Sequence, residues 1–308
     1  MIHTRGLKKR YGKTQALAGL NLNVEKGAIF GFIGQNGAGK STTMRILATL
    51  MLPDEGEAEV AGIDVIKHPE AVRRVVGYMP DFFGVYDDLT VGEYLQFYAT
   101  LSGIKGDKAT RLCDDLLELV DLSRKREDFV EGLSRGMQQR LCLARTLIHD
   151  PQVLLLDEPA SGLDPVARSE MRDLLKELTR MGKTILISSH ILTEMAELCT
   201  HVGMITGGQI VREGTVAEVL WASENPAWRM RLLTDPEGAA SVLAALGSVG
   251  DISVGENYVQ FRCDSGAEGA ADALAAVVGA GYKVSRLAEV ESSLEETFVK
   301  LAREEVKA

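Results

Sequence analysis

From residue 1 to about 220, short apolar runs alternate with stretches whose apolar residues recur at helical spacing. Residues 28–33, 75–79, 153–157, 184–188 and 202–206 are runs of strand length and predict buried strands. Between them, 41–50, 112–120 and 166–180 carry a helix pattern. Strand–helix alternation of this kind predicts an α/β layered fold around a mainly parallel sheet. The stretch from Asp81 to Asp150 breaks the alternation. It is long and helical in pattern, and predicts a helical subdomain inserted between two core strands at about 82–150.

Around 223–226 the rhythm changes. A strand is predicted at 228–233, a helix at 236–246, a hairpin from 250–254 and 257–262 turning at Gly255 and Glu256, a helix at 267–280, a strand at 283–290 and a last helix at 294–303. That order, βαββαβ plus a helix, is the split-βαβ layout. Two domains are therefore expected, 1–222 and a small α+β domain at 223–308. The second carries eight Lys and Arg against fourteen Asp and Glu, and has no aromatic stacking pair. It does not read as an RNA-binding version of that layout.

Composition narrows the picture. The 308 residues are 45% hydrophobic with a net charge of −10, which argues against nucleic acid as a main ligand. No apolar segment approaches the ~20 residues of a membrane helix, and the first residues lack the apolar region of a signal peptide. The four cysteines, Cys113, Cys142, Cys199 and Cys263, are far apart and form no CxxC pair. They read as small, buried, reduced residues of a cytosolic protein.

The chemistry concentrates in three places. GQNGAGKST at 34–42 follows the first buried strand and opens a helix, the strand–loop–helix setting of a phosphate-binding loop. Gly34, Gly37 and Gly39 let the backbone curl so that its amides face phosphate oxygens, with Asn36 in the loop and Thr42 at its end. Lys40 is a point charge for β- and γ-phosphates, and Ser41 offers a hydroxyl to Mg²⁺. Asp157 ends an apolar strand and suits a Mg²⁺ contact, and Glu158 beside it is placed to polarise a water. In LSRGMQQR at 133–140, Ser134 stands where a helix starts, a ready anion site with no anion in its own neighbourhood.

With GQNGAGKST, LSRGMQQR, LLLDEP, SGLD at 161–164 and ISSH ending at His190, the chain resembles the nucleotide-binding subunit of an ABC transporter. The spacing agrees. Lys40 to Ser134 is 94 residues, room for the helical insertion; Ser134 to Asp157 is 23 and Asp157 to His190 is 33. The resemblance implies ATP and Mg²⁺ as ligands and a head-to-tail homodimer. Ser134 and Gly136 of one copy would cover the ATP on the other's loop. It further implies Glu158 as general base, His190 on the γ-phosphate, Asp164 communicating across the dimer, and Tyr11 stacking on adenine.

Three positions depart from the family pattern. Asp81 stands where glutamine is usual, and would keep a metal-sensing role by adding a carboxylate near the ion. Arg135 and Met137 replace the glycine and glutamine of LSGGQ. Arg135 either adds positive charge near the nucleotide or faces solvent. The resemblance implies docking on a separate integral-membrane permease at the inner face of the cell membrane. The expected contact is the insertion, including 82–86 and 89–98, although most residues of that aromatic cluster read better as the insertion's own core. One nucleotide half followed by a small acidic tail with SLEETF at 293–298 resembles the drug-, sodium- or polysaccharide-exporting bacterial group. The rival is a soluble ATP-driven switch or regulatory ATPase on a cytosolic complex. The long heptads and second nucleotide half of such proteins are missing from this sequence.

Overall fold

The apolar runs of the first domain assemble into a six-stranded sheet in the computed structural model, which describes residues 1–82, 84, 88–221, 227–263 and 265–290. The chain divides into two units, Met1–Val216 and a second that begins at Ala217.

In chain order the first unit runs β1 (Ile2–Tyr11), β2 (Thr14–Val24), β3 (Ile29–Ile33), α1 (Lys40–Leu47), β4 (Glu55–Val60), β5 (Ile63–Asp64), α2 (Pro69–Val75) and β6 (Val76–Met79). It continues α3 (Val91–Leu101), α4 (Asp107–Leu119), α5 (Arg135–Leu147), β7 (Val153–Asp157), α6 (Pro165–Arg180), β8 (Thr184–Ser189), α7 (Leu192–Leu198), β9 (His201–Thr206) and β10 (Gln209–Thr215). Helix α8 (Val216–Trp221) follows at the division. The central sheet has the order β10-β9-β3-β8-β7-β6, parallel except for the β9–β10 pair. Every residue of β3, β7 and β8 is buried, because a parallel sheet is covered on both faces.

A second, antiparallel sheet of order β2-β1-β4-β5 lies outside the predicted strands. Its core-facing residues Ile2, Leu7, Leu17, Leu20 and Leu22 share one apolar cluster with Phe30, Phe32, Leu155 and Leu186 of the central sheet and with Met44 and Leu47 of α1. Helix α1 is thus clamped between two sheets. Truncating one of these fully buried side chains costs about 2–5 kcal/mol. The clamp fixes the first turn of α1, where the phosphate loop ends.

Helices α3, α4 and α5 fill the predicted insertion between β6 and β7. Thr90 and Glu93 form a reciprocal capping box that starts α3. The aromatic cluster divides. Tyr94 is fully buried, lies 5.0 Å from the Tyr98 ring and accepts a hydrogen bond from Arg145 Nη1 of α5 at 3.1 Å. Phe82 is 83% exposed, and Phe83, Val85 and Tyr86 lie outside the described residues. Helix α1 stops at Leu47, short of the expected 50, where Thr49 takes a left-handed φ of 61°. Helix α4 begins at Asp107, ahead of the expected 112, after Gly106 at φ 62°.

The second unit contains β11 (Ala227–Leu232), α9 (Pro236–Ala244), β12 (Val249–Val254), β13 (Tyr258–Cys263), α10 (Gly266–Gly279) and β14 (Val284–Val290). The strands are antiparallel in the order β12-β13-β11-β14, the split-βαβ arrangement. Met230, Val259 and Phe261 pack with Ala239, Leu243, Ala273 and Val277 of the two helices. The opposite face carries Arg229 stacked 4.6 Å over the Tyr258 ring, with Arg231 paired in register with Arg286. The last helix expected at 294–303 and the SLEETF motif lie outside the described residues.

Candidate nucleotide site

The central sheet presents the C-terminal ends of β3, β7 and β8 side by side, with Ile33 paired to Ser189 and Asp157 to Ser188. The loop 34–39 leaves β3 and enters α1 at Lys40. Gly39 holds φ 114° at the helix start, and a Cβ there would stand 2.7 Å from the Ala16 carbonyl. A Cβ on Gly34 would stand 2.5 Å from the Ile205 carbonyl. The loop is therefore pressed against β2 and β9 and cannot carry side chains at these positions.

Lys40 folds back into this loop. Its Nζ donates to the Gly34 carbonyl at 2.6 Å and to that of Gln35 at 3.2 Å, and lies 3.7 Å from Glu158 Oε1. Only 5% of the side chain is exposed, and burial pushes its ammonium below the ordinary value, opposed by Glu158 and Asp157. The second oxygen of Glu158, Oε2, meets His190 Nδ1 at 2.8 Å. Glu158 takes φ 52°, a left-handed conformation that costs about 1–3 kcal/mol in a residue other than glycine.

Ser188, the second residue of ISSH, fixes both carboxylate residues. Its Oγ donates to Asp157 Oδ1 at 2.6 Å and accepts the Glu158 N–H at 3.0 Å. The sequence signal was a hydroxyl at the end of an otherwise apolar strand. Asp157 itself is fully buried, and its Oδ2 has no hydrogen-bond partner. An orphaned buried carboxylate oxygen beside a phosphate loop fits a divalent cation. Among the described residues no three His, Cys, Asp or Glu side chains gather as an all-protein metal cage.

These residues open on one cavity of about 540 Å³. Asn36, Gly37, Gly39, Lys40, Ser41, Thr42, Asp81, Glu158 and His190 line it, and Tyr11, 44% exposed, lies at its edge. Gln35 and Ser161 of the two quoted motifs line it as well, together with Thr14 and Ala16, which nothing in the sequence marked.

The family model for ABC transporter matches residues 17–161. The bacitracin transport ATP-binding protein BcrA of Bacillus licheniformis is 36% identical over 303 residues, covering 98% of this chain and 97% of that protein. The chain belongs to the ABC transporter family. The daunorubicin/doxorubicin resistance ATP-binding protein DrrA of Streptomyces peucetius is 34% identical, covering 97% of this chain and 92% of its own. Among solved structures, the dimeric ATP-binding cassette MJ0796, described in a post-hydrolysis state bound to ADP and Pi, is 26% identical. It superposes with a TM-score of 0.64 over 70% of this chain and 99% of that one. This ABC chain is accordingly an ATP-binding protein and an ATPase.

Five of the predicted positions of this ABC cassette do not line its cavity: Gly34 and the buried Asp157 lie behind the lining residues, and Ser134, Gly136 and Asp164 sit on helices α5 and α6. Ser134 caps α5, its Oγ accepting the Met137 N–H at 3.3 Å, and is exposed. Gly136 lies against α6, where a Cβ would stand 2.9 Å from Ala167 Cβ. Asp164 caps α6, its Oδ1 accepting the N–H groups of Val166 at 2.9 Å and Ala167 at 3.0 Å. Arg135, in contrast, does line the cavity of its own chain, and is also exposed to solvent.

Proposed function

We propose that this chain is the ATP-hydrolysing subunit of an exporter. It works as a head-to-tail homodimer at the cytoplasmic face of the membrane and drives a separate integral-membrane permease. The observation that carries the chemistry is the line His190–Glu158–Lys40 laid across the phosphate loop. The names of BcrA and DrrA support the transport role, because their similarity runs through both units of this chain. The rival of a cytosolic switch has no comparable support.

In this reading the triphosphate lies along the loop, with the amides of 37–39 on its oxygens and Lys40 drawn from the Gly34 carbonyl to the β- and γ-phosphates. That movement takes the ammonium from Glu158 and leaves the carboxylate free to accept the proton of an attacking water. His190 turns from Glu158 towards the γ-phosphate and holds the line of attack. Tyr11 stacks on the adenine. Ser41 and Asp157 would hold Mg²⁺, which when bound neutralises phosphate charge and orients the β- and γ-oxygens. Asp81 adds a carboxylate at the cavity wall. Ser134 and Gly136, turned away from their own cavity, cover the nucleotide of the other copy, and Asp164 links the two sites. The Glu158→Gln protein tests this account. It keeps ATP binding and loses turnover, and Lys40→Ala loses both; full turnover in Glu158→Gln removes the base assignment.

A further inference from the structure

Arg135 stands in the first turn of α5, where the family pattern has glycine, and its side chain leaves that helix for the nucleotide cavity. It passes over the turn that follows Glu158. That turn is closed by the Ser161 N–H on the Glu158 carbonyl at 3.0 Å. At its tip Gly162 takes φ 71°, and a Cβ there would stand 2.6 Å from both Cζ and Nη1 of Arg135. The guanidinium therefore rests directly on the glycine backbone, and the missing side chain is what admits it.

The arginine is also uncommitted. Among the described residues it makes no hydrogen bond and no ion pair, whereas Arg140, one and a half turns along the same helix, meets Asp121 at 3.5 Å and Glu170 at 3.7 Å. The other cation lining the cavity, Lys40, is held by two carbonyls and Glu158. An exposed, unpaired guanidinium carried into a phosphate-binding cavity has one chemical use there. Its planar fork matches phosphate oxygens better than an ammonium does.

We propose that Arg135 binds the terminal phosphate of the nucleotide held by its own chain, and so distinguishes ATP from ADP before a second copy arrives. It approaches along the turn that begins at Glu158, the residue read as facing the reacting phosphate, so the γ-phosphate is the group it meets. The proposal rests on the nucleotide reading of the cavity. It gives the signature segment two duties: Ser134 covers the partner's nucleotide and Arg135 reads this chain's own. Gly162 is the second member of the device, because any side chain there displaces the guanidinium.

The test is titration of the full chain with fluorescent mant-ATP and mant-ADP in Mg²⁺, at concentrations where light scattering shows a monomer. Wild type, Arg135→Gly, Arg135→Lys, Gly162→Ala and Lys40→Ala are compared. Arg135→Gly is expected to weaken mant-ATP about tenfold and mant-ADP less than twofold, one charge-assisted contact being removed. Arg135→Lys recovers part of the loss, and Gly162→Ala reproduces the Arg135→Gly pattern without adding to it in the double variant. Equal losses for both nucleotides, no loss at all, or a loss seen only where the protein dimerises would each overturn the assignment. Should wild type bind neither nucleotide, with Lys40→Ala indistinguishable from it, the nucleotide reading itself fails and the assignment goes with it. Binding by wild type that depends on Lys40 but not on Arg135 refutes the assignment alone.

Discussion

Replacing Ser188 by alanine removes one oxygen atom and leaves two groups without partners. Asp157 loses the hydrogen bond at 2.6 Å that, among the described residues, is the one made by its buried carboxylate, and the Glu158 N–H loses its acceptor at 3.0 Å. A hydrogen bond to a charged group contributes about 1.5–3 kcal/mol, and an unsatisfied buried donor costs about 1–3 kcal/mol. The two share one hydroxyl and are not additive, so the expected loss is about 3 kcal/mol. At ~2–4 °C per kcal/mol for a unit of this size, thermal unfolding followed by far-UV circular dichroism should move down by roughly 6–12 °C. Catalysis should fall as well, because the same hydroxyl holds Glu158 at φ 52°. The released backbone relaxes, and a misplacement of the base by about 1 Å costs on the order of a hundredfold. Phosphate release by Ser188→Ala should therefore drop about that far in kcat with KM for ATP little changed. A loss of stability under about 1 kcal/mol together with unchanged kcat would refute the reasoning.

Further expectations concern other parts of the chain. Burial pushes the Cys142 thiol from its ordinary value near 9 up to about 11. The folded state holds that proton more tightly than the unfolded one, so this contribution to stability is intact below pH 9 and is lost as pH rises towards 11. Urea midpoints should fall over that window, and Cys142→Ala should flatten the slope. In the second unit Arg231 and Arg286 are paired in register, and among the described residues neither makes an ion pair. Arg286→Glu converts a like-charged pair into an opposite one and should stabilise the unit by about 0.5 kcal/mol in chemical denaturation. Asp81→Gln and Asp81→Ala should shift the Mg²⁺ dependence of ATP hydrolysis, with no shift in either arguing against a carboxylate near the ion.

What was legible in the sequence follows from which interactions are local. The strands β3, β7 and β8 are buried on both faces, so their residues are apolar without interruption and their runs are visible directly. The sheet of β1, β2 and β4 is half-solvated, carries Lys8, Lys9 and Arg10 in its first strand, and shifts register between Thr4 and Leu7 and again beyond. No period survives those shifts, and these strands were not read. The loop 34–42 was visible because its glycines answer to backbone geometry. The carboxylates Asp157 and Glu158 were visible as residue types at a strand end. Their support by Ser188 was not, since it depends on β7 and β8 being neighbours, 31 residues apart in the chain. The direction of Arg135 was undecidable for the same reason: it is set by the bare backbone of Gly162, on a turn 27 residues further on. Arg145, which ties α5 to Tyr94 of α3, likewise carries no local signature.

The account stands or falls on the second copy, because Ser134 and Gly136 lie outside the cavity of their own chain. The most direct test is the mass of the Glu158→Gln protein by light scattering during gel filtration, with saturating ATP and with saturating ADP. The account predicts a dimer with ATP, a monomer with ADP, and a monomer with either nucleotide once Ser134→Arg is added. A protein that binds ATP and yet elutes as a monomer at every concentration tried would contradict it.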